Sequence, residues 1–276
     1  MPELPEVEAV RREIAPAMQG ARFEHVLLRR ANLRIPFPRN FAGRLEGQLV
    51  EALTRRGKYL LAGLSSGETL IIHLGMSGSF DVDRDGAAGG LERDGGRHDH
   101  VVFDMSSGAT VIFNDPRRFG LMDIAARGRL ERYPALRAMG PEPLSPEFAA
   151  DILARACRGR KVSLKVALLD QRVVAGLGNI YASEALHRAH LSPRRRASTL
   201  ATAGGAPREA ARRLAAAIKA VLNDAVERTM SDDYRSSRFR VYDRAGAACP
   251  TRGCAGTIKR IVQAGRSTFY CATCQR

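Results

Sequence analysis

A chain of 276 residues is long enough to bury a core, as one large domain or a few smaller ones. Lys and Arg number 44 against 29 Asp and Glu, a net charge of +15, while 45% hydrophobic and 26% charged residues exclude wholesale disorder. No run of about eighteen apolar residues exists to span a membrane. MPELPEVEAVRRE is too acidic for a secretory leader, and five cysteines are too few for a disulfide scaffold. The expectation is a soluble, intracellular, cationic protein with a polyanionic partner; a coding bias that inflates Arg is the competing explanation.

In chain order, Leu4, Val7, Val10 and Ile14 fall at helical spacing, which predicts a helix over 3–14 with Pro5 tolerable in its first turn. From about 22 to 125 the pattern is of short β-type runs. KYLLAGL-SSG-ETLIIHL and HVVFDM-SSG-ATVIFND read as hairpins, and DVDRDGAAGGLERDGGR (81–97) reads as a surface loop. Several strands behind one leading helix predict a β-sandwich or flattened barrel. The stretch YPALRAMGPEPLSPEF (133–148) holds four prolines in sixteen residues and reads as a linker.

Helices are expected beyond it at 147–157, 162–169, around 179–188 and from 207 to about 228. In the last, Leu214, Ile218, Val221, Leu222 and Ala225 share a face. The chain is therefore read as a β-rich module, a helical module and a small tail. Residues 235–276 carry nine basic groups against the single acid Asp243, more than half of the net charge, as a stripe that meets phosphates would.

Cys249 and Cys254 have four residues between them, Cys271 and Cys274 two, and TIKRIVQAGRSTFY between the pairs reads as a hairpin turning at Gly265. Two thiolate knuckles on a hairpin suit one tetrahedral structural zinc, which would supply folding energy to a tail with little core. Cys157, outside the cluster, reads as a small buried apolar residue. Arg266, next to Gly265, is either a group presented from a rigid turn or an ordinary surface arginine.

At the other end, removal of Met1 would leave a secondary α-amine on Pro2, followed by Glu3 and Glu6. Such an amine titrates near pH ~8, so part of it is nucleophilic at neutrality. Attack on a sugar C1′ gives an iminium, an electron sink for elimination, and adjacent carboxylates suit that chemistry. The alternative is a start-of-chain proline before an ordinary acidic helix N-terminus.

MPELPEVE, GKYLL, HLGMSG, HDHVVF, DPRRFG, GPEPL, LLDQRVVAGLGNIYASE and GRSTFYCATCQR occur in this order along almost the whole chain. Together they resemble the bacterial formamidopyrimidine-DNA glycosylases, base-excision repair enzymes that remove oxidised purines and nick the strand. MPELPE resembles the oxidised-purine branch, where the related endonuclease VIII branch usually has Gly fourth. The resemblance implies an α+β multidomain protein. Residues 1–132 would form a catalytic β-sandwich with a leading helix, 133–146 a linker, 147–235 a helix–two-turns–helix module that binds DNA, and 236–276 a zinc-finger hairpin.

It also implies roles. Pro2 is the Schiff-base nucleophile, Glu3 the acid that helps open the sugar ring, Lys58 the proton-transfer group of β-elimination, and Arg266 the group of δ-elimination and phosphate binding. Met76, Arg117 and Phe119 fill the hole left by an everted nucleotide, where inserted side chains offset lost stacking. His98, Arg117 and Lys161 contact DNA, and Lys165 and Asn179 contact phosphate. Gly176 and Gly178 let the backbone come close to it, and the amides after Asn179 face it. Glu6 and Glu184 are supporting carboxylates. The partner is double-stranded DNA with damaged bases, met by a cytoplasmic monomer.

The sequence departs from the family pattern in the four-residue first knuckle, where two is usual. It departs again in RTMSDDYRSSRFRVYDR (228–244), which is shorter than the family's lesion-covering loop. Lesion preference is therefore open. A same-fold enzyme for oxidised pyrimidines and a non-catalytic zinc-bearing DNA binder are the competing readings; only the enzymes need Pro2 and Glu3.

Overall fold

The structure is a computed structural model that describes residues 1–84, 96–229 and 239–276. Most of the 81–97 stretch, and the middle of 228–244, lie outside the described residues; Asp81–Asp83 close a strand. The chain divides into two compact units, one of Met1–Pro2 with Glu6–Arg137 and one of Glu3–Pro5 with Ala138–Arg276.

The first unit holds two four-stranded antiparallel sheets. One contains β1 (Phe23–Leu28), β5 (Ser79–Asp83), β6 (Asp99–Met105) and β7 (Thr110–Asn114), in the order β1-β6-β7-β5; the other contains β2 (Val50–Arg56), β3 (Tyr59–Leu64), β4 (Thr69–His73) and β8 (Leu121–Ala125), in the order β2-β3-β4-β8. Both SSG stretches turn hairpins, β3 onto β4 with Leu60 opposite Ile72, and β6 onto β7 with Phe103 opposite Val111. The period-2 alternation sends Leu60, Ala62, Leu64, Leu70 and Ile72 into a core shared with Phe23, Phe103 and Phe113 of the other sheet. Leu61 and Ile71 point the other way and are covered by Tyr133 and Leu136, so the start of the proline-rich stretch packs on a sheet face.

Helix α1 (Leu4–Met18) runs four residues past the expected end, with Pro16 inside it. Its apolar face is split between two cores: Val7, Ile14, Ala17 and Met18 enter the sandwich, whereas Leu4 belongs to the core of the second unit. A short helix α2 (Phe41–Leu45) buries Phe41 and Leu45.

The second unit contains α3 (Ala150–Cys157), α4 (Leu164–Leu169), α5 (Asn179–Arg188) and α6 (Glu209–Thr229). α6 buries Leu214, Ile218, Val221, Leu222 and Ala225, the face expected of it, and packs on α3 and α5. Cys157 is fully buried in this core. The tail forms the hairpin β9 (Ile258–Gln263) and β10 (Arg266–Cys271) across Ala264 and Gly265, both at positive φ as a two-residue type I′ turn requires.

Residues 239–257 form mostly turns, and the amides of 240–242 are taken by a side chain. The buried carboxylate of Glu184 on α5 accepts the N–H groups of Arg240, Val241 and Tyr242, each at 2.9 Å. Edge-to-face rings run from Tyr181 through Phe239 and Tyr242 to Phe269, fixing α5 to β10. Among the described residues no helix is long and apolar enough to cross a membrane.

Candidate functional site

At the N-terminus, half-buried Pro2 precedes Glu3, which is only 2% exposed. The Glu3 carboxylate sits on the first turn of α5 and accepts the N–H groups of Gly178 (2.7 Å), Ile180 (2.9 Å) and Tyr181 (3.3 Å). Leu4 N–H donates to Gly176 O at 3.1 Å and completes the anchor. A Cβ on Gly178 would lie 2.3 Å from Glu3 Cδ, so only glycine admits this carboxylate. The amides of Ile180 and Tyr181 are among those expected to face a DNA phosphate. The protein's own anion fills them instead, as the orphan donors and positive end of a helix favour. The sequence marks both partners but not that they meet.

Lys58, 8% exposed, stands in the turn from β2 to β3, and Glu6 is half-buried on α1. Nearby in the sheet that carries Lys58, a cavity of about 360 Å³ is lined by Met1, Arg34, His73, Gly75, Met76 and Phe119. Burial pushes the His73 imidazole down to about 4, with Lys58 and Arg34 adding to it. The neutral ring accepts Gly75 N–H at Nδ1, 3.0 Å. His73 had no signal beyond its place in HLGMSG.

Met76, Arg117 and Phe119 are brought together on two adjoining loops, 74–78 after β4 and 115–120 after β7. Met76 is 40% and Phe119 44% exposed, too much for core residues of their size. The Arg117 guanidinium lies 5.0 Å from the centre of the Phe119 ring, a cation–π pair, with Arg118 between them at φ 53°. His98 is half-buried just before β6, and its carbonyl accepts Asp115 N–H. Sequence reasoning passed over Asp115 and Ser77, although both lie in the motifs that name their neighbours.

A second cluster joins α4, α5 and β10. Lys165 is fully buried; its Nζ donates to Asn179 Oδ1 at 2.8 Å and to Thr268 Oγ1 at 3.4 Å, while Asn179 Nδ2 donates to Ser267 O at 2.9 Å. Burial pushes the Lys165 ammonium down to about 8; Glu3 opposes this and Arg266 adds to it. Arg266, the next residue before Ser267, is exposed at the start of β10. Lys161 is exposed ahead of α4, and no hydrogen bond among the described residues ties it to this cluster.

The four tail sulfurs lie within 4.8 Å of one another, with Cys249 to Cys274 and Cys254 to Cys271 at 3.7 Å. A tetrahedron with Zn–S bonds of about 2.3 Å has edges of about 3.8 Å, so the donor set fits one zinc. The longer first knuckle is absorbed without opening the site. Four thiolates around Zn²⁺ carry a surplus of negative charge, and buried His187 on α5 places Nε2 3.6 Å from Cys249 Sγ and 3.2 Å from Thr251 Oγ1. His187 Nδ1 has no partner among the described residues, and Nε2 is the ring nitrogen that faces the thiolate.

Comparison with known proteins accounts for most of the chain. Residues 1–122 match the formamidopyrimidine-DNA glycosylase N-terminal domain, 139–235 the formamidopyrimidine-DNA glycosylase H2TH domain, and 248–276 a zinc finger found in FPG and IleRS. A formamidopyrimidine-DNA glycosylase of Bradyrhizobium sp. (strain BTAi1 / ATCC BAA-1182) is 57% identical over 293 residues, covering 100% of both chains. Among solved structures, the complex of a Lactococcus lactis FPG mutant with Fapy-dG-containing DNA superposes with a TM-score of 0.85 at 27% identity, covering 100% of both chains. MutM in complex with DNA containing carbocyclic 8-oxo-G gives a TM-score of 0.83 at 29% identity, again over 100% of both.

Proposed function

Since the chain belongs to the formamidopyrimidine-DNA glycosylase family, we propose that it excises oxidised purines, 8-oxoguanine and formamidopyrimidines, from duplex DNA and then cuts the strand by β,δ-elimination. The observation that carries the reading is the seat of Glu3: three amides at the start of α5 and just before it fix the residue that follows the nucleophile. Once Met1 is removed, the Pro2 nitrogen attacks C1′, the oxidised base leaves, and the ring opens with its O4′ taking up a proton. Glu3, oriented by amides that favour its negative charge, assists that opening beside the cationic centre.

The iminium then acidifies C2′–H. Lys58 moves that proton and the 3′ phosphate departs, and δ-elimination with Arg266 releases the 5′ phosphate. Met76, Arg117 and Phe119 occupy the gap in the duplex, and His98 and Lys161 hold DNA. Asn179 faces phosphate from the start of α5, and fully buried Lys165 acts by holding Asn179 and β10 in place. Zinc, when bound by Cys249, Cys254, Cys271 and Cys274, fixes the hairpin that carries Arg266. The protein works as a monomer in the bacterial cytoplasm.

Borohydride trapping on a duplex with 8-oxoguanine opposite cytosine, followed by peptide mass spectrometry, tests the reading. A Pro2 adduct is expected. An adduct only with an oxidised pyrimidine moves the specificity, and no adduct on any damaged or abasic duplex leaves a zinc-bearing DNA binder.

A further inference from the structure

Met76 and Phe119 are exposed, so no core holds them, and their positions must come from the backbone that carries them. That backbone is bracketed on both sides. The carboxylate of Asp115, with no exposed surface, accepts the Ser77 hydroxyl at 2.6 Å through Oδ1 and Gly120 N–H at 2.7 Å through Oδ2. The Ser77 oxygen in turn accepts Arg117 N–H at 3.3 Å. Asp115 is itself tied to β6 and its approach: its N–H donates to His98 O at 3.0 Å, and its carbonyl accepts His100 Nε2–H at 2.9 Å. Behind Met76 the two loops touch at backbone level, where a Cβ on Gly75 would fall 2.3 Å from the Phe119 carbonyl carbon. Met76 thus lies between two fixed residues, Gly75 and Ser77, while Arg117 and Phe119 lie between Asp115 and Gly120.

We propose that Ser77 and Asp115 are positioning residues, a latch that sets the spacing of the two loops so that Met76, Arg117 and Phe119 enter the duplex as one body. The inference rests on the reading of those three side chains as the group that fills the hole left by the everted nucleotide. A charge-assisted O–H···O bond of this length, with its carboxylate acceptor buried, is a stiff linkage. Insertion into a base stack tolerates little misplacement. The latch takes no part in bond making, so its loss falls on duplex invasion and not on the chemistry at C1′.

The test uses the full chain with zinc bound. Ser77→Ala deletes the bridge and leaves Asp115 on Gly120, whereas Ser77→Thr keeps a hydroxyl. Single-turnover release of 8-oxoguanine from duplex is expected to fall about tenfold in Ser77→Ala, the effect of one hydrogen bond to a charged group, and to recover in Ser77→Thr. Unstacking of a 2-aminopurine beside the lesion should weaken in parallel. Cleavage at an abasic site in a single strand, where there is no hole to fill, should stay within about twofold of the parent.

Equal slowing on both substrates would overturn the assignment in favour of a general structural role, with a thermal melt recording lost stability. An unchanged duplex rate would overturn it outright. Met76→Ala is run beside it on the duplex. If that variant excises normally, the insertion reading itself fails; if it is slow while Ser77→Ala is not, only the latch fails.

Discussion

In residues 6–137 the shared core of the two sheets includes Phe23, Phe41, Phe103, Phe113, Leu60 and Ile72, whereas in the tail from 239 to 276 Val241, Ile258 and Phe269 are buried together with two of the cysteines, Cys249 and Cys271. The first region is held by apolar area, each large side chain stabilising by about 1.5–3 kcal/mol. The second has too little area for that and is held by its thiolates and by what α5 lends it, the Glu184 clamp and the His187 contact. Rigidity at the Arg266 tip is therefore a property of the metal and of the helices α4 and α5 that the hairpin is tied to, not of packing within the hairpin.

Removing the metal breaks this comparison most sharply. Structural zinc contributes about 10–16 kcal/mol of apparent folding energy in small fingers. A strong chelator is thus expected to expose the four tail thiols to titration and to abolish DNA binding, while the melting of the sandwich persists. A tail whose amides stayed protected from exchange without metal would show that packing alone suffices. Leu60→Ala is the converse: it hollows a fully buried position of β3 and should cost about 3 kcal/mol of the sandwich's stability, equally with and without chelator.

A smaller effect reads the buried amine between the helices and the hairpin. Lys165 is held near 8 when folded against an ordinary 10.5, so the unfolded chain binds more protons between those values. Its burial therefore weighs against the folded state below pH 8, and that penalty lifts as pH climbs from about 8 to 10.5. Relative to Lys165→Met, the parent should gain up to about 3 kcal/mol across the window, followed by thermal denaturation in a pH series; parallel curves would place its titration elsewhere. Least of all, His187→Phe should lower zinc affinity about tenfold in competition with a chelating dye. An unchanged affinity would remove Nε2 as a donor to Cys249.

Local pattern carried much of the architecture. Alternation in KYLLAGL and ETLIIHL, the SSG turns, the stripe on α6 and the two cysteine pairs each depend on residues close in sequence, and each is found as an element. What the chain hid depends on distant partners. Leu4 has the spacing of one helical face, yet it enters a different core from Val7, because the residues that decide its place lie beyond 138. Nothing near Glu184 announces that it will take the amides of 240–242. Lys165 reads as an exposed cation in any local window, but Asn179 and Thr268 enclose it. Asp115 and Ser77 sit inside quoted motifs, and only the adjacency of two loops gives them a task.

The fit of Glu3 against Gly178 also bears on how such a gene can change. The two positions are 175 residues apart, yet a methyl group at the second would collide with the carboxylate of the first. A drift at either alone leaves the amides at the start of α5 and just before it without their anion or forces the carboxylate out. Substitutions there are expected to arrive together or be lost, so the pair is inherited as a single character spread across most of the reading frame.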